Sequence, residues 1–185
     1  RRLVIGHEFG GGIETKVFTH GVYSSAWDGF PVQWGEVSIG DRVWLPNAWV
    51  NPGVTIGSDV VVAARSLVNS DLPAGCFAAG TPAKVMKAGA YPRQVAEADK
   101  LRMFASMFSV ALKRHGGDHG YQVVHADRYR VDGNTMFDLA RRTVEGRATG
   151  FTEILRNQLR RNGIRFRVVP ENGSYEPWKG VLTSA

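Results

Sequence analysis

Five histidines and a single cysteine are the side chains of this 185-residue chain best suited to move a proton or accept an acyl group near neutral pH. His20 follows Val17-Phe18-Thr19, where an apolar run gives way to a stretch rich in aromatic residues: Tyr23, Trp27, Phe30 and Trp34. A neutral imidazole there suits a general base, since its proton affinity lies close to neutrality. A histidine capping a strand end would look the same in isolation. A basic imidazole also needs a partner on its other nitrogen, and Glu14 or Asp28 could serve. His115 and His119 have the i, i+4 spacing of a metal-ligating pair on a helix. Gly116-Gly117 ends that helix between them and no third ligand is recognisable, so no metal is expected. Cys76, between Gly75 and Phe77, has no base beside it and reads as a small buried filler. Gly10-Gly11-Gly12 lacks the Lys-Ser or Lys-Thr and the following helix of a phosphate-binding loop, and reads as backbone corners.

The elements that must position these residues follow a period of six. From Ile39 the chain divides into units opening at Ile39, Leu45, Val50, Ile56, Val62 and Val68, each a short apolar strand followed by Gly, Asn, Asp or Pro at a bend. That period is neither the 3.6 of a helix nor the alternation of a hairpin strand. It describes a coil with flat sides and tight corners. With three units to a turn, Ile39 stacks on Ile56, Leu45 on Val62 and Val50 on Val68, filling the interior with three aliphatic columns. Each buried side chain contributes about 1.5–3 kcal/mol, so units too small to fold alone are stable once stacked. Earlier units at Ile5, Gly11 and Val17 keep the spacing, although Gly11 stands where an aliphatic is expected and Phe9 is large. The period breaks between Val17 and Ile39 for the aromatic loop, residues 21–38, whose length points to function. The unit Leu45 to Trp49 has five residues, with Pro46-Asn47 at its corner.

The segment from Ile39 to Lys87, with Ile39-Gly-Asp-Arg-Val-Trp44, Asn51-Pro-Gly-Val-Thr-Ile-Gly57 and Gly80-Thr-Pro-Ala-Lys84 in order, resembles the closing coils of hexapeptide-repeat acyltransferases of the maltose and xenobiotic O-acetyltransferase type. The resemblance covers roughly residues 3 to 88. It implies a left-handed parallel β-helix assembled as a homotrimer, with active sites between subunits and acetyl-CoA as co-substrate. It also implies His20 as the catalytic base, one loop upstream of Trp44. For the cofactor it implies Ala64 as the small residue beside the pantetheine and Asn69-Ser70 in place of a common Thr-Lys pair. Lys84 would be the basic residue after the coil, Arg65 a replacement charge, and Trp44 a flank. Ser70 in place of lysine and the short corner at Pro46-Asn47 depart from the pattern.

Beyond Pro92 the period of six is gone. Gln94 to Arg114 carries helical spacing, Tyr121–His125 and Met136–Thr143 read as strands about a turn at Asp132-Gly133-Asn134, Phe151–Arg161 reads as a helix ended by Asn162-Gly163, and Ile164–Val169 reads as a final strand. The expected fold is mainly β. A left-handed parallel β-helix with an inserted loop fills residues 1–90, and a helix with a small α+β domain fills residues 91–185.

Composition bounds the function classes. At 43% hydrophobic and 22% charged the chain reads as globular, and it has no apolar run long enough for a membrane span and no signal peptide in Arg1–Gly12. The single cysteine agrees with the reducing cytoplasm. A formal charge of +6 and a pI near 9.8 favour an anionic partner such as CoA or an acidic glycan. Much of that charge comes from Arg141, Arg142, Arg147, Arg156, Arg160, Arg161, Arg165 and Arg167, which read as a face for an anionic glycan, a nucleotide-sugar or a lipid-linked phosphate, or as a simply solvated one. No basic stripe interleaved with stacking aromatics points to nucleic acid. Because the chain starts inside a repeat, it reads as a trimmed or excised part of a longer chain. The leading expectation is an acetyl-CoA-dependent O-acetyltransferase acting on a sugar or glycan precursor in polysaccharide biosynthesis. The alternatives are a non-catalytic trimeric β-helix scaffold or regulatory module, and an N-acetyltransferase of an amino sugar. A β-helix carbonic anhydrase would need three histidines, and the coil region holds only His7 and His20.

Overall fold

The computed structural model describes residues 1–22 and 24–166 and the backbone of Tyr175–Glu176. The chain is mainly β with two α-helices, and it divides into two compact units, Arg1–Gln94 and Val95–Ala185, so the boundary falls at 94 where the sequence pattern puts it at 90.

The first unit is a three-sided coil. Its first turn is β1 (Leu3–Ile5), β2 (Gly10–Gly11) and β3 (Lys16–Val17). A hairpin of β4 (His20–Val22) and β5 (Val32–Trp34) then leaves the coil. The second turn is β6 (Val37–Ile39), β7 (Trp44–Leu45) and β8 (Trp49–Val50), and the third is β9 (Thr55–Ile56), β10 (Val61–Val62) and β11 (Leu67–Val68). Strands one turn apart pair in parallel, giving sheets β1-β6-β9, β2-β7-β10-β12 and β3-β8-β11, where β12 is Phe77–Gly80. Antiparallel β13 (Ala83–Lys87) closes the second sheet.

The register follows the aliphatic period. Ile5, Ile39 and Ile56 pair in one column, Val17, Val50 and Val68 in another, and Trp44 paired with Val61 sets Val62 over Leu45 in the third. Ile39, Leu45, Val50, Ile56, Val62 and Val68 are all buried. Side chains alternate across each two-residue strand, so Trp44, Trp49 and Thr55 point out as their neighbours point in.

Two irregularities in the pattern have local explanations. Gly11 pairs with Leu45 in the third column, and a Cβ there would lie 3.0 Å from the Phe9 ring, so Phe9 occupies the space the missing aliphatic leaves. The five-residue unit keeps its turn because Asn47 adopts φ 51°, matching the left-handed backbone of Glu14 (φ 60°) above and Arg65 (φ 60°) below. Asparagine tolerates that conformation better than most residues. The corner loses one residue and the ladder stays in register, Lys16 pairing with Trp49 and Trp49 with Leu67.

The inserted loop is an ordered arm. His20 pairs with Trp34 and Val22 with Val32 in its antiparallel strands, and a short 3₁₀ turn, Ala26–Asp28, is capped by the Ser25 hydroxyl accepting from the Trp27 N–H at 3.1 Å. The arm begins at His20 itself and the coil resumes at Val37, inside the 21–38 span expected for the loop.

The second unit opens with α1 (Glu97–His115), followed by an antiparallel meander: β14 (Tyr121–His125), β15 (Arg128–Val131), β16 (Thr135–Asp138) and β17 (Thr143–Arg147). Helix α2 (Gly150–Arg161) comes next, and β18 (Tyr175–Glu176) adds in parallel to β17. The turn at Asp132-Gly133 has both residues at positive φ (49° and 70°), the geometry favoured between twisted strands. Two expectations differ. Arg128–Val131 is a strand that its arginines disguise, and Met136–Thr143 is the end of one strand and the start of the next. Of the expected final strand, Ile164–Phe166 is not extended into a sheet and 167–169 lie outside the described residues. The core here is aromatic: Phe104 stacks on Tyr129 at 3.7 Å, and Phe137, Phe151, Leu155 and Leu159 are fully buried.

Two outcomes test the coil. Gly11→Val alone clashes with the Phe9 ring and Phe9→Ala alone leaves a void, so denaturant unfolding of both singles and the double should show coupling above about 0.5 kcal/mol, the double being milder than the sum. Strict additivity would contradict the packing. Separately, a hydrogen bond and ion pair from Arg42 (N–O 2.6 Å) hold the Asp59 carboxyl below the usual carboxylate range. A lowered folded value adds stability above the unfolded value that is lost as pH falls through the folded one. The Asp59→Asn melting temperature should therefore lie below the parent's at neutral pH and converge with it in acid.

Candidate functional site

The outer face of the β3-β8-β11 sheet carries Lys16, Trp49 and Leu67, the neighbours of the inward column of half-buried Val17 and buried Val50 and Val68. Trp49 organises this face. The Lys16 ammonium sits 4.5 Å from its ring centre, and the Phe18 ring meets it edge-on at 6.0 Å. Two cavities adjoin at Trp49 and Leu67. One, of about 360 Å³, is bordered by His20, Gln33, Asn51 and Pro52; the other, of about 440 Å³, by Glu14, Asn47, Arg65 and Thr81. His20 lines the first and Arg65 the second, with Trp49 and Leu67 bordering both.

The hairpin arm sets the position of His20. Its cross-strand partner is Trp34, and the two rings stack at 5.3 Å with planes 20° apart. The imidazole is exposed, and among the described residues neither Glu14 nor Asp28 is hydrogen-bonded to it. Glu14 instead accepts from the Asn47 side-chain amide at 3.1 Å, and Asp28 stands in the 3₁₀ turn of the arm. The chemistry on this face is therefore a solvent-accessible base beside an aromatic wall, with cationic Lys16 and Arg65 further along.

The other sequence candidates stand elsewhere. Ala64 is exposed at the same corner as Arg65, whose carbonyl accepts the Thr81 hydroxyl at 3.1 Å. Asn69 and Ser70 are exposed at the next corner. Trp44 lies on the second sheet, its ring covering Gly10, where a Cβ would fall 2.4 Å from it, and Lys84 is exposed on β13 of that same sheet. So the structure sets His20 and Arg65 in two cavities that share Trp49 and Leu67, and leaves Trp44 and Lys84 on a different face. Sequence reading missed Lys16, Trp49, Leu67 and Thr81. Strand alternation was the available signal for the first three, since the residue before each inward valine must face outward. In the second unit Arg142 borders an apolar cavity of about 300 Å³ with Met103, Phe104 and Met107, and Arg160 and Arg161 are exposed at the end of α2; Arg167 lies outside the described residues.

No family profile matches the chain as a whole. Over 52 residues it is 42% identical to the galactoside O-acetyltransferase of Escherichia coli K12, a match covering 28% of this chain and 26% of that protein. Over 52 residues it is 51% identical to the 2,3,4,5-tetrahydropyridine-2,6-dicarboxylate N-acetyltransferase of Staphylococcus aureus, covering 28% and 22%. Over this stretch the chain is similar to these acetyltransferases. It spans about a quarter of the length of these curated relatives. Among solved structures, a hexapeptide-repeat acetyltransferase of Vibrio cholerae complexed with acetyl coenzyme A aligns at a TM-score of 0.42 and 32% identity, over 46% of this chain and 49% of that one. Among the described residues, no helix is long and apolar enough to cross a membrane.

Cys76 belongs to the coil's core. It is fully buried, and burial pushes its thiol above the ordinary range, which disfavours the thiolate needed for attack. Alkylation by iodoacetamide should proceed in the native state only as fast as the coil opens, and at once in denaturant; rapid native labelling would contradict its burial.

Proposed function

We propose that this chain is the catalytic part of an acetyl-CoA-dependent O-acetyltransferase acting on a sugar or glycan precursor. The observation that carries the reading is an exposed His20, stacked on Trp34, lining a cavity on a coil of period six that shares Trp49 and Leu67 with a second cavity lined by Arg65. The relatives' named reactions support acetyl transfer. In the reaction an acceptor hydroxyl enters beside His20, and the imidazole takes its proton as the oxygen attacks the thioester carbonyl. The tetrahedral intermediate collapses with cleavage of the carbon–sulfur bond, and the proton passes from the imidazolium to the CoA sulfur. No acyl-enzyme forms. The exposed aromatic rings suit the apolar face of a sugar, while Arg65 and Lys16 suit the cofactor's phosphates.

The coil is left-handed in this reading, and the working assembly is a homotrimer in the cytoplasm. Trimer formation explains why Trp44 and Lys84 stand on the second sheet while His20 serves the third. A neighbouring copy would bring its second sheet, with Ala64 at a flanking corner, against the His20 cavity to complete the CoA site.

His20→Ala should lower the rate of CoA release by about 10²–10⁴-fold, the span of general-base contributions, with the oligomer and the affinity for CoA unchanged. A rate within a few-fold of the parent would remove His20 from the chemistry. An amine acceptor is the second reading, favoured by the N-acetyltransferase among the relatives. Faster turnover of an amino sugar than of its hydroxyl counterpart would select it.

A further inference from the structure

At the far end of α1 the chain builds a second cluster of ionisable groups that the proposed transferase chemistry does not use. The helix ends at His115, as the glycines imply, but Gly116 (φ 73°) and Gly117 (φ 87°) fold the chain back instead of carrying it away. His119 therefore returns to His115: its Nε2 lies 3.2 Å from the Nδ1 of His115, and that Nδ1 is also 3.0 Å from the Gly116 carbonyl oxygen. The separation expected from sequence, with the helix end parting the two rings, is reversed by these two left-handed glycines.

His119 is fixed on its other side. Its Nδ1 lies 2.8 Å from Oδ2 of Asp132, and Oδ1 of that carboxylate accepts the Gly120 N–H at 3.1 Å. The imidazole also lies flat on Phe151, with centroids 4.0 Å apart and planes within 3°. A carboxylate accepting at Nδ1 holds the proton there, which leaves the Nε2 lone pair aimed at His115. His115 is exposed, whereas the His119 side chain is only 19% exposed, so one donor is rigid and the other accessible.

We infer that His115 Nδ1 and His119 Nε2, with the Gly116 carbonyl beside them, form a binding site for a divalent transition metal of the zinc class. Two imidazole nitrogens bound to one tetrahedral zinc at about 2.0–2.1 Å stand roughly 3.3 Å apart, close to the separation already present. The Asp132–His119 hydrogen bond is the outer carboxylate contact that orients a metal-bound imidazole. The C-terminal end of α1 adds negative potential, and Asp132 a negative charge, against the positive charge of Lys113 and Arg114 in the last turn. No group of three His, Cys, Asp or Glu side chains able to hold a metal occurs among the described residues. The site therefore relies on two imidazoles and a backbone oxygen, with water completing the shell and leaving a coordination position open. Binding shifts the His115 proton from Nδ1 to its exposed Nε2, so the site takes up a cation without net proton release while both rings are neutral. Protons compete with the metal as pH falls.

Zinc chloride titrated calorimetrically into the chelator-treated full chain tests the site. One equivalent should bind at neutral pH, with affinity reduced at least tenfold in His115→Ala, which alters an exposed side chain. His119→Phe should weaken binding equally while keeping a ring stacked on Phe151. Asp132→Asn should weaken it about 10–100-fold, the usual effect of losing an outer carboxylate contact. Zinc should also raise the melting temperature of the parent and not that of the His115→Ala, His119→Phe double variant. Parent-like zinc affinity in both single histidine variants, or no binding by the parent, would overturn the assignment.

Discussion

The inward register of three aliphatic columns is the constraint on which the coil depends. Ile39 over Ile56, Leu45 over Val62 and Val50 over Val68 are held by parallel pairing one turn apart. Because side chains alternate across a strand, a slip of one residue would bury Lys16 and Trp49 and expose Val17 and Val50. The chemistry of the outer face is thus a by-product of core packing: Trp49 faces outward because Val50 faces inward. The corners obey the same constraint. Glu14, Asn47 and Arg65 share a left-handed backbone at successive turns, and that stacking sets Arg65 beside Asn47 and Thr81 along the second cavity.

The hairpin arm is where the period yields to function. A coil turn contributes only short strands and corners, so a base with an aromatic wall has to come from an insertion, and the antiparallel arm supplies both on facing strands as His20 and Trp34. In the proposed chemistry the base would have ring stacking for orientation where many catalytic histidines have a carboxylate. Glu14, which the sequence offers for that task, is engaged by Asn47 across the shortened corner.

How much of this was legible in the sequence depended on periodicity. The columns could be read because a period of six repeats, and His20 could be picked out because it stands where the period breaks. The exchange between Gly11 and Phe9 was not legible, since a period of six says nothing of one inward position filling the space of another two residues along the chain. Nor were the two cavities, because their lining comes from three turns far apart in sequence. The second unit was harder for a different reason. Tyr129 and Val131 alternate with Arg128 and Arg130, so one buried face is written among charges, and only the ladder to β14 and β16 reveals the strand. At His115 and His119 the reading of a helix end was sound, but sequence carries no signal for the direction in which two positive-φ glycines send the chain.

The account stands on acetyl transfer at the His20 cavity. Its most direct test is acceptor-dependent release of CoA from acetyl-CoA, followed by thiol detection across a panel of sugars, nucleotide-sugars and amines. The account predicts that at least one hydroxylated sugar raises CoA release well above the rate of hydrolysis without acceptor. A chain that binds CoA yet releases it no faster with any member of the panel would contradict the account and leave the coil a scaffold.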